Sequence, residues 1–181
     1  MTVDVSRSMW SALEAAKVQL QAGLDAISAT IDGERGFAWL AGEDEDDVQN
    51  RGVEVVTDMT QKPGVVPNIR LQAVANTSNP PCAGLDNQTW DLIVTCVIRE
   101  HTRLADTDTK QHTATLRAGY LARACELVLK SRASAGGLWG LEGVYSIKNA
   151  GSAHTRPFEG DPSLVAYEFT LRCTQRVHDP F

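Results

Sequence analysis

Five consecutive carboxylates form the densest group of chemically capable side chains in the chain: Glu43, Asp44, Glu45, Asp46 and Asp47. Carboxylate oxygens are the ligands that Ca²⁺ and Mg²⁺ prefer, but the run does not match an EF-hand loop, which needs a glycine at its sixth position and a terminal glutamate. Because neighbouring carboxylates repel one another and stay solvated, we interpret the run as part of a long acidic loop at about residues 33–61. A contact with a basic partner surface and a metal site are the alternatives.

The four histidines are His101, His112, His154 and His178. No two of them have the i, i+4 spacing that lets two imidazoles on one helix bind one metal ion, and no H-E-x-x-H motif occurs. We therefore interpret His101 and His112 as surface or capping residues. The alternative of a different class is a small divalent-metal-dependent enzyme, with residues 43–47 and either His101 or His112 as ligands.

Other catalytic motifs fail on their spacing. The glycine-rich segment 136–143, GGLWGLEG, lacks the lysine that a P-loop uses to hold terminal phosphates, and no G-x-S-x-G motif singles out a nucleophilic serine. We assign no catalytic, cofactor-binding or metal-binding residue and expect a protein that is not an enzyme.

The aromatic residues divide into two groups by their surroundings. Trp10 and Trp90 belong to periodic segments, which predicts that both lie in the core. Trp39 and Trp139 lie in apolar patches within predicted loops, so they either fold back on the domain or anchor an interface. Phe181 ends a short tail that could dock on a partner or fray. The interface candidates are thus Trp39, Trp139, Phe181 and the acidic residues 43–47.

Cysteine spacing gives no sign of a redox or zinc motif. Cys82, Cys96, Cys125 and Cys173 include no C-x-x-C pair. Three of the four, Cys96, Cys125 and Cys173, lie within apolar segments, so we expect them to be free thiols in the core.

Two amphipathic helices are predicted to support these groups. The first has an apolar face, interrupted once by a lysine, formed by Trp10, Leu13, Lys17, Leu20, Leu24, Ile27 and Ile31. The second runs over about residues 108–131, and its predicted core face consists of Leu116, Tyr120, Leu121, Ala124, Leu127 and Val128. We expect the first helix to pack on the protein's own sheet rather than in a coiled coil.

The predicted strands cluster rather than alternating with helices. Residues 90–99 are rich in β-branched side chains and apolar on both faces, which indicates a central strand. Residues 165–174 alternate between apolar and polar side chains, as in a strand with one wet face. Weaker signals occur at residues 53–56, 69–75 and about 143–148. This order predicts one α+β domain spanning residues 1–181, with an antiparallel or mixed sheet and two helices packed on one face.

The net charge of −6 is concentrated in one segment. Residues 32–58 contain nine acidic and two basic side chains, a local charge of −7, whereas the rest of the chain sums to +1. An acidic chain is a poor candidate for general nucleic-acid binding, which needs a basic surface. The sequence has neither an apolar run near the ~20 residues of a membrane span nor an N-terminal signal pattern, so we expect synthesis in the cytoplasm and no membrane partner.

The element order resembles that of tail-terminator proteins and related neck proteins, which complete the head-tail junction of long-tailed bacteriophages. The likeness is carried by the opening helix of residues 10–31, the strand of residues 90–99 leading through Asp106, Thr107 and Asp108 into a helix with Tyr120, and the closing strand of residues 165–173. It spans most of the chain but rests on no diagnostic motif.

The resemblance implies a structural role in the virion without catalysis or cofactors. Copies would form a homo-oligomeric ring, often a hexamer, that caps the tail tube and contacts the head-side connector after assembly in the host cytoplasm. Genomic DNA would pass through without specific binding, which suits an acidic surface because it repels phosphates. Another head-tail connector or a head-closure protein shares these features and stays open as an alternative.

Overall fold

The computed structural model describes residues 9–31, 53–57, 67–82, 85–99, 107–131, 144–151, 154–158 and 161–178. These residues form two helices and six strands. In chain order they are α1 (Met9–Ile31), β1 (Glu54–Val56), β2 (Asn68–Cys82), β3 (Leu85–Arg99), α2 (Thr107–Ser131), β4 (Val144–Asn149), β5 (His154–Phe158) and β6 (Asp161–His178).

The strands form one mixed sheet in the order β1-β2-β3-β6-β4, and β5 also pairs with β6. β1 runs parallel to β2, whereas all the other pairs are antiparallel. Since both helices pack on this sheet, the α+β class and the mixed-sheet arrangement predicted from the sequence are confirmed.

β3 is the central strand, as its two apolar faces predict. It pairs along its length with β2 on one side and β6 on the other. Its helix-facing side chains, from Trp90 to Ile98 at every second position, are fully or almost fully buried. Because β2 and β6 flank this strand, its backbone groups can form hydrogen bonds on both sides. Such a central position is typical of a segment rich in β-branched and apolar side chains.

β2 continues through two prolines that the sequence pattern treats as punctuation. The strand extends to Cys82, which pairs with Leu85 at the start of β3. The register shifts between Asn79 and Cys82, around Pro80 and Pro81. A proline lacks the amide proton of a regular ladder, so this irregularity accommodates both residues without ending the strand.

The helices cover the same face of the sheet. α1 contacts β1 and β2, α2 contacts β3 and β6, and the two helices contact each other. The main core lies between this helical layer and the sheet. This arrangement confirms the prediction of two helices on one face.

The buried stripe of α1 differs from the predicted one. Trp10, assigned to the core from the sequence, is 63% exposed, whereas Trp90 is 1% exposed as predicted. The buried positions of α1 include two alanines and two leucines: Ala12, Leu13, Ala16 and Leu20. The stripe is rotated by about 50° from the predicted face, because small side chains let the helix approach its neighbours closely and the prediction weighted large apolar residues.

The prediction for α2 contains the same error. Leu121, Ala124 and Val128 are buried, but Leu116, Tyr120 and Leu127 are exposed, so the predicted core face was half wrong. Four further small or medium-sized side chains on the true core face are also buried: Ala114, Ala118, Ala122 and Cys125.

The closing strand β6 shows the predicted alternation. Val165, Phe169, Leu171 and Cys173 are buried towards the helices, while Arg172 on the opposite face is exposed. The weaker strand predictions correspond to β1, β2 and β4. β5 was not predicted from the sequence.

Candidate interaction surfaces

The interface candidates predicted from the sequence all fall outside the described residues. Those positions are Trp39, Trp139, Phe181 and the acidic residues Glu43, Asp44, Glu45, Asp46 and Asp47. Of the histidines considered as metal ligands, His101 also lies outside, and His112 lies within the N-terminal part of α2. The surfaces described below are therefore new candidates.

An apolar stripe follows the outer side of α2. Leu116 is 45% exposed, Tyr120 is 43% exposed and Leu127 is 39% exposed. Together with the exposed Arg123 they lie at positions separated by four, three and four residues. This spacing places all four side chains within about 60° around the helix axis. We call these four residues the α2 stripe.

Glu126 forms an ionic cluster beside the α2 stripe. Its Oε1 accepts hydrogen bonds from Lys130 Nζ at 2.5 Å and Asn149 Nδ2 of β4 at 3.2 Å. Its Oε2 accepts one from Arg123 Nη1 at 2.7 Å. Burial alone would raise the pKa of Glu126, but these hydrogen bonds and the nearby positive charge lower it to about 2. The cluster fixes Arg123 at the edge of the stripe and ties α2 to β4.

A second exposed apolar region lies on α1. Trp10 and Val18 are both more than half exposed. Between them, Glu14 Oε1 accepts a hydrogen bond from Thr57 Oγ1 at 3.0 Å, which connects the helix to the residue that follows β1. A large indole exposed on a helix is the type of side chain that anchors protein interfaces.

Polar pairs cross the strands on the sheet face opposite the helices. Arg172 on β6 makes a bidentate contact with Asp91 on β3, with Nε to Oδ1 at 3.0 Å and Nη2 to Oδ2 at 3.2 Å. This contact raises the pKa of Arg172. Further along the same two strands, Thr95 Oγ1 donates to Glu168 Oε2 at 3.3 Å. Opposite charges placed directly across neighbouring strands stabilise the sheet register.

One end of this outer face is buried. Val97, Leu164 and Ala166 form a small apolar cluster separate from the main core. Arg70 on β2 is also buried, and burial lowers its pKa. Near the cluster, Arg99 Nη1 of β3 donates to Ser163 Oγ of β6 at 3.2 Å. This end of the outer face is thus buried and combines an apolar cluster with arginines, whereas the other end carries the exposed Arg172–Asp91 pair.

Cys96, Cys125 and Cys173 are free and buried, as the sequence predicts. Cys96 Sγ on β3 lies 4.0 Å from Cys125 Sγ on α2. Burial first, and then the hydrogen bond and charge interaction with Cys125, raise the pKa of Cys96 well above its ordinary range. Burial and the nearby Asp91 raise the pKa of Cys173 to about 12. Cys96 and Cys173 are therefore protonated at neutral pH and pack as small apolar side chains.

Within the described ranges, no group of three or more His, Cys, Asp or Glu side chains is placed to hold a metal ion. Neither α1 nor α2 is long and apolar enough to cross a bilayer.

Sequence reasoning missed the exposure of Trp10 and the α2 stripe for one reason. It placed the large apolar residues of each helix towards the core. The signal that could have revealed both surfaces is the second, alanine-rich face of each helix, with Ala12 and Ala16 on α1 and Ala114, Ala118 and Ala122 on α2. Comparison of the sequence with protein-family models and with curated proteins found no match.

Proposed function

We propose that this chain is a virion structural protein, a tail terminator whose copies form a closed ring at the end of a phage tail tube. In this role it contacts the tail tube protein on one side and the head-side connector or neck protein on the other. Six copies are the expected number, by resemblance to tail-terminator proteins.

The observation that carries the proposal is the order and pairing of the elements. A long opening helix precedes the β2-β3 hairpin, α2 follows the central strand, and the long strand β6 closes the sheet beside β3. The resemblance to tail-terminator proteins rests on this same order of elements, and the order therefore supports the proposal. Fold order alone does not specify function, so assembly itself needs a direct test.

Trp10 supports the self-assembly part of the proposal. Trp10 is 63% exposed on a helix whose opposite side packs against β1, β2 and α2. Indoles anchor interfaces because they bury a large apolar area with few rotatable bonds. A closed ring needs a head-to-tail contact between two different surfaces, and we assign Trp10 to one of them.

The charge distribution suits a conduit for DNA. The local charge of −7 in residues 32–58 contrasts with +1 for the remainder of the chain. If this segment faces the lumen of a ring, it repels the phosphate backbone and keeps the passing genome from adhering. If it faces the rim, it provides a surface for a basic neck protein.

Electron microscopy of the purified protein tests the proposal. We expect rings with six-fold symmetry, and tails assembled with the protein should end in such a ring. Twelve-fold rings would favour another connector. A protein that forms no ring, alone or with tail tubes, would exclude the tail-terminator role.

A matched pair of variants tests the role of Trp10. Trp10→Ala should weaken ring formation at least about tenfold, as expected for a central aromatic anchor, without unfolding the subunit. Val18→Ala, at another exposed apolar position of α1, is the control and should have little effect. Equal ring formation by both variants would remove Trp10 from the ring contact.

A further inference from the structure

We infer that the α2 stripe is a self-complementary contact, through which α2 of one subunit packs antiparallel against α2 of a second copy. The inference concerns a different surface from the ring contact assigned to Trp10. It does not depend on the tail-terminator role.

The spacing of the stripe is the first argument. Leu116, Tyr120, Arg123 and Leu127 are separated by four, three and four residues, so the pattern reads the same in both directions. A two-fold axis midway between positions 121 and 122 therefore places each stripe residue opposite another stripe residue. Alternating steps of three and four are also the spacing by which two helices pack side by side over several turns.

The chemistry of the resulting pairs is the second argument. The two-fold axis places Leu116 opposite Leu127 of the partner subunit, which joins two apolar side chains at each end of the contact. It places Tyr120 opposite Arg123 of the partner subunit. A guanidinium over a tyrosine ring is attracted by the negative face of the ring. A parallel arrangement would instead place Arg123 against a second Arg123, so the stripe favours the antiparallel one.

The third argument is that the charge of Arg123 is already compensated. Arg123 Nη1 lies 2.7 Å from Glu126 Oε2, and Glu126 is itself held by Lys130 and by Asn149 of β4. A charged group that keeps a hydrogen-bonded counter-ion enters an interface at a lower cost than one buried without a partner. The guanidinium can thus lie on the aromatic ring without losing its ionic partner.

The size of the surface sets the strength of the contact. The stripe extends over about 16 Å of helix. The area that such a short helix face can bury is much smaller than the area of about 800 Å² that each partner buries in a standard interface. We therefore expect a dissociation constant on the order of 100 µM, comparable with that of a weak transient contact. An isologous contact of this type closes at two copies, so it would join two free subunits or two rings back to back.

Replacing the leucines at the two ends of the stripe with residues of opposite charge tests the inference. Leu116→Glu alone and Leu127→Lys alone should each weaken self-association by at least about tenfold, because each buries a charge opposite a leucine. A mixture of the two variants should associate, since one end of the contact then joins the introduced carboxylate to the introduced ammonium and the other end keeps its leucine pair. The double variant L116E/L127K should also associate, through two such pairs of opposite charge.

Sedimentation equilibrium from about 10 µM to about 1 mM spans the expected range of association. Val18→Glu is the matched control, since it places an acid at an exposed apolar position of α1 and should associate like the unmodified protein. Circular dichroism should show that every variant is folded, because the substituted leucines are 45% and 39% exposed. If rings form, the two-fold contact is measured as a doubling of ring mass, which separates it from ring closure.

Three outcomes would overturn the inference. An unmodified protein without two-fold association at ~1 mM would exclude the contact in the accessible range. Unchanged association of both single variants would place the interface elsewhere. A mixture of L116E and L127K that fails to associate, while the unmodified protein does, would exclude the antiparallel register.

Discussion

Gly23 on α1 lies directly against Val128 on α2, with no room for a side chain between them. A methyl group placed on Gly23 would lie 2.6 Å from Val128 Cγ1 and 2.9 Å from Val128 Cγ2. Such distances are well below van der Waals contact, so the absence of a side chain at position 23 sets how closely the two helices approach.

We expect Gly23→Ala to destabilise the fold by about 1–2 kcal/mol. The overlap with Val128 costs about 1–3 kcal/mol, which exceeds the gain of up to ~1 kcal/mol from the higher helix propensity of alanine. Chemical denaturation measures the change. In a double-mutant cycle, Val128→Ala should relieve part of the cost, and strictly additive effects would show that the two residues do not interact.

Gly119 on α2 provides the matched control. A methyl group at this position would lie 3.8 Å from Tyr167 Cε2, which is ordinary contact. Gly119→Ala should therefore leave the free energy of unfolding unchanged or raise it by up to ~1 kcal/mol. A loss similar to that of Gly23→Ala would show that the close approach at Gly23 is not the cause.

The two tryptophans of periodic segments should differ sharply when replaced. Trp90→Ala should lower the free energy of unfolding by about 3–5 kcal/mol, because it empties a fully packed site between the sheet and the helices. Trp10→Ala should change it by less than ~0.5 kcal/mol, since the indole is largely exposed. Thermal denaturation of both variants measures the two changes. Similar losses of stability in the two variants would place Trp10 in the core.

Glu126 should make stability depend on acid pH. Its folded-state pKa of about 2 lies below the ordinary value of 4.5, so its ionised form stabilises the fold above about pH 4.5. That contribution is lost as the pH falls from about 4.5 towards 2. Because its partners Arg123 and Lys130 are substantially exposed, we expect about 1 kcal/mol at neutral pH. Unfolding curves of Glu126→Gln and the unmodified protein should converge in this window, and a difference that persists at pH 2 would contradict the assignment.

The core thiols should resist modification in the folded protein. Cys96, Cys125 and Cys173 are buried, and the raised pKa values of Cys96 and Cys173 leave almost no thiolate of either at about pH 8. Iodoacetamide labelling followed by peptide mass spectrometry should modify these three only after denaturant is added. Labelling of Cys96 in the native state would show that the contact between β3 and α2 opens readily.

The strands were predictable where the pattern of side chains is local. β3 and β6 carry an apolar run and a strict alternation, and both were located from the sequence. β5 was missed because its residues, His154–Phe158, are mixed in character and include a proline. It is a strand because β6 is long enough to pair with it beyond the end of β4. Long-range pairing of this kind has no local signature.

The helices were predictable in position but not in rotation. Both begin and end near the predicted residues, but the buried stripe of each contains alanines, with Ala16 and Ala118 fully buried. The close contact of Gly23 with Val128 explains why alanines are buried in these stripes. Where helices approach this closely, small side chains face inward and large ones remain outside, which reverses the usual rule that the largest apolar residues mark the core.

The sheet edge formed by β4 and β5 has a consequence for strand addition. β4 pairs with residues 171–175 of β6 and β5 with residues 161–168, so two short strands replace one long one. Between them, Ala150 donates its amide proton to the carbonyl oxygen of Thr170 at 3.0 Å, and the next residue is a glycine. An intruding chain finds no long, uniform row of free backbone groups on which to grow, and Pro157 removes one donor from the ladder. The interrupted edge thereby hinders the addition of a further strand on the β6 side of the sheet.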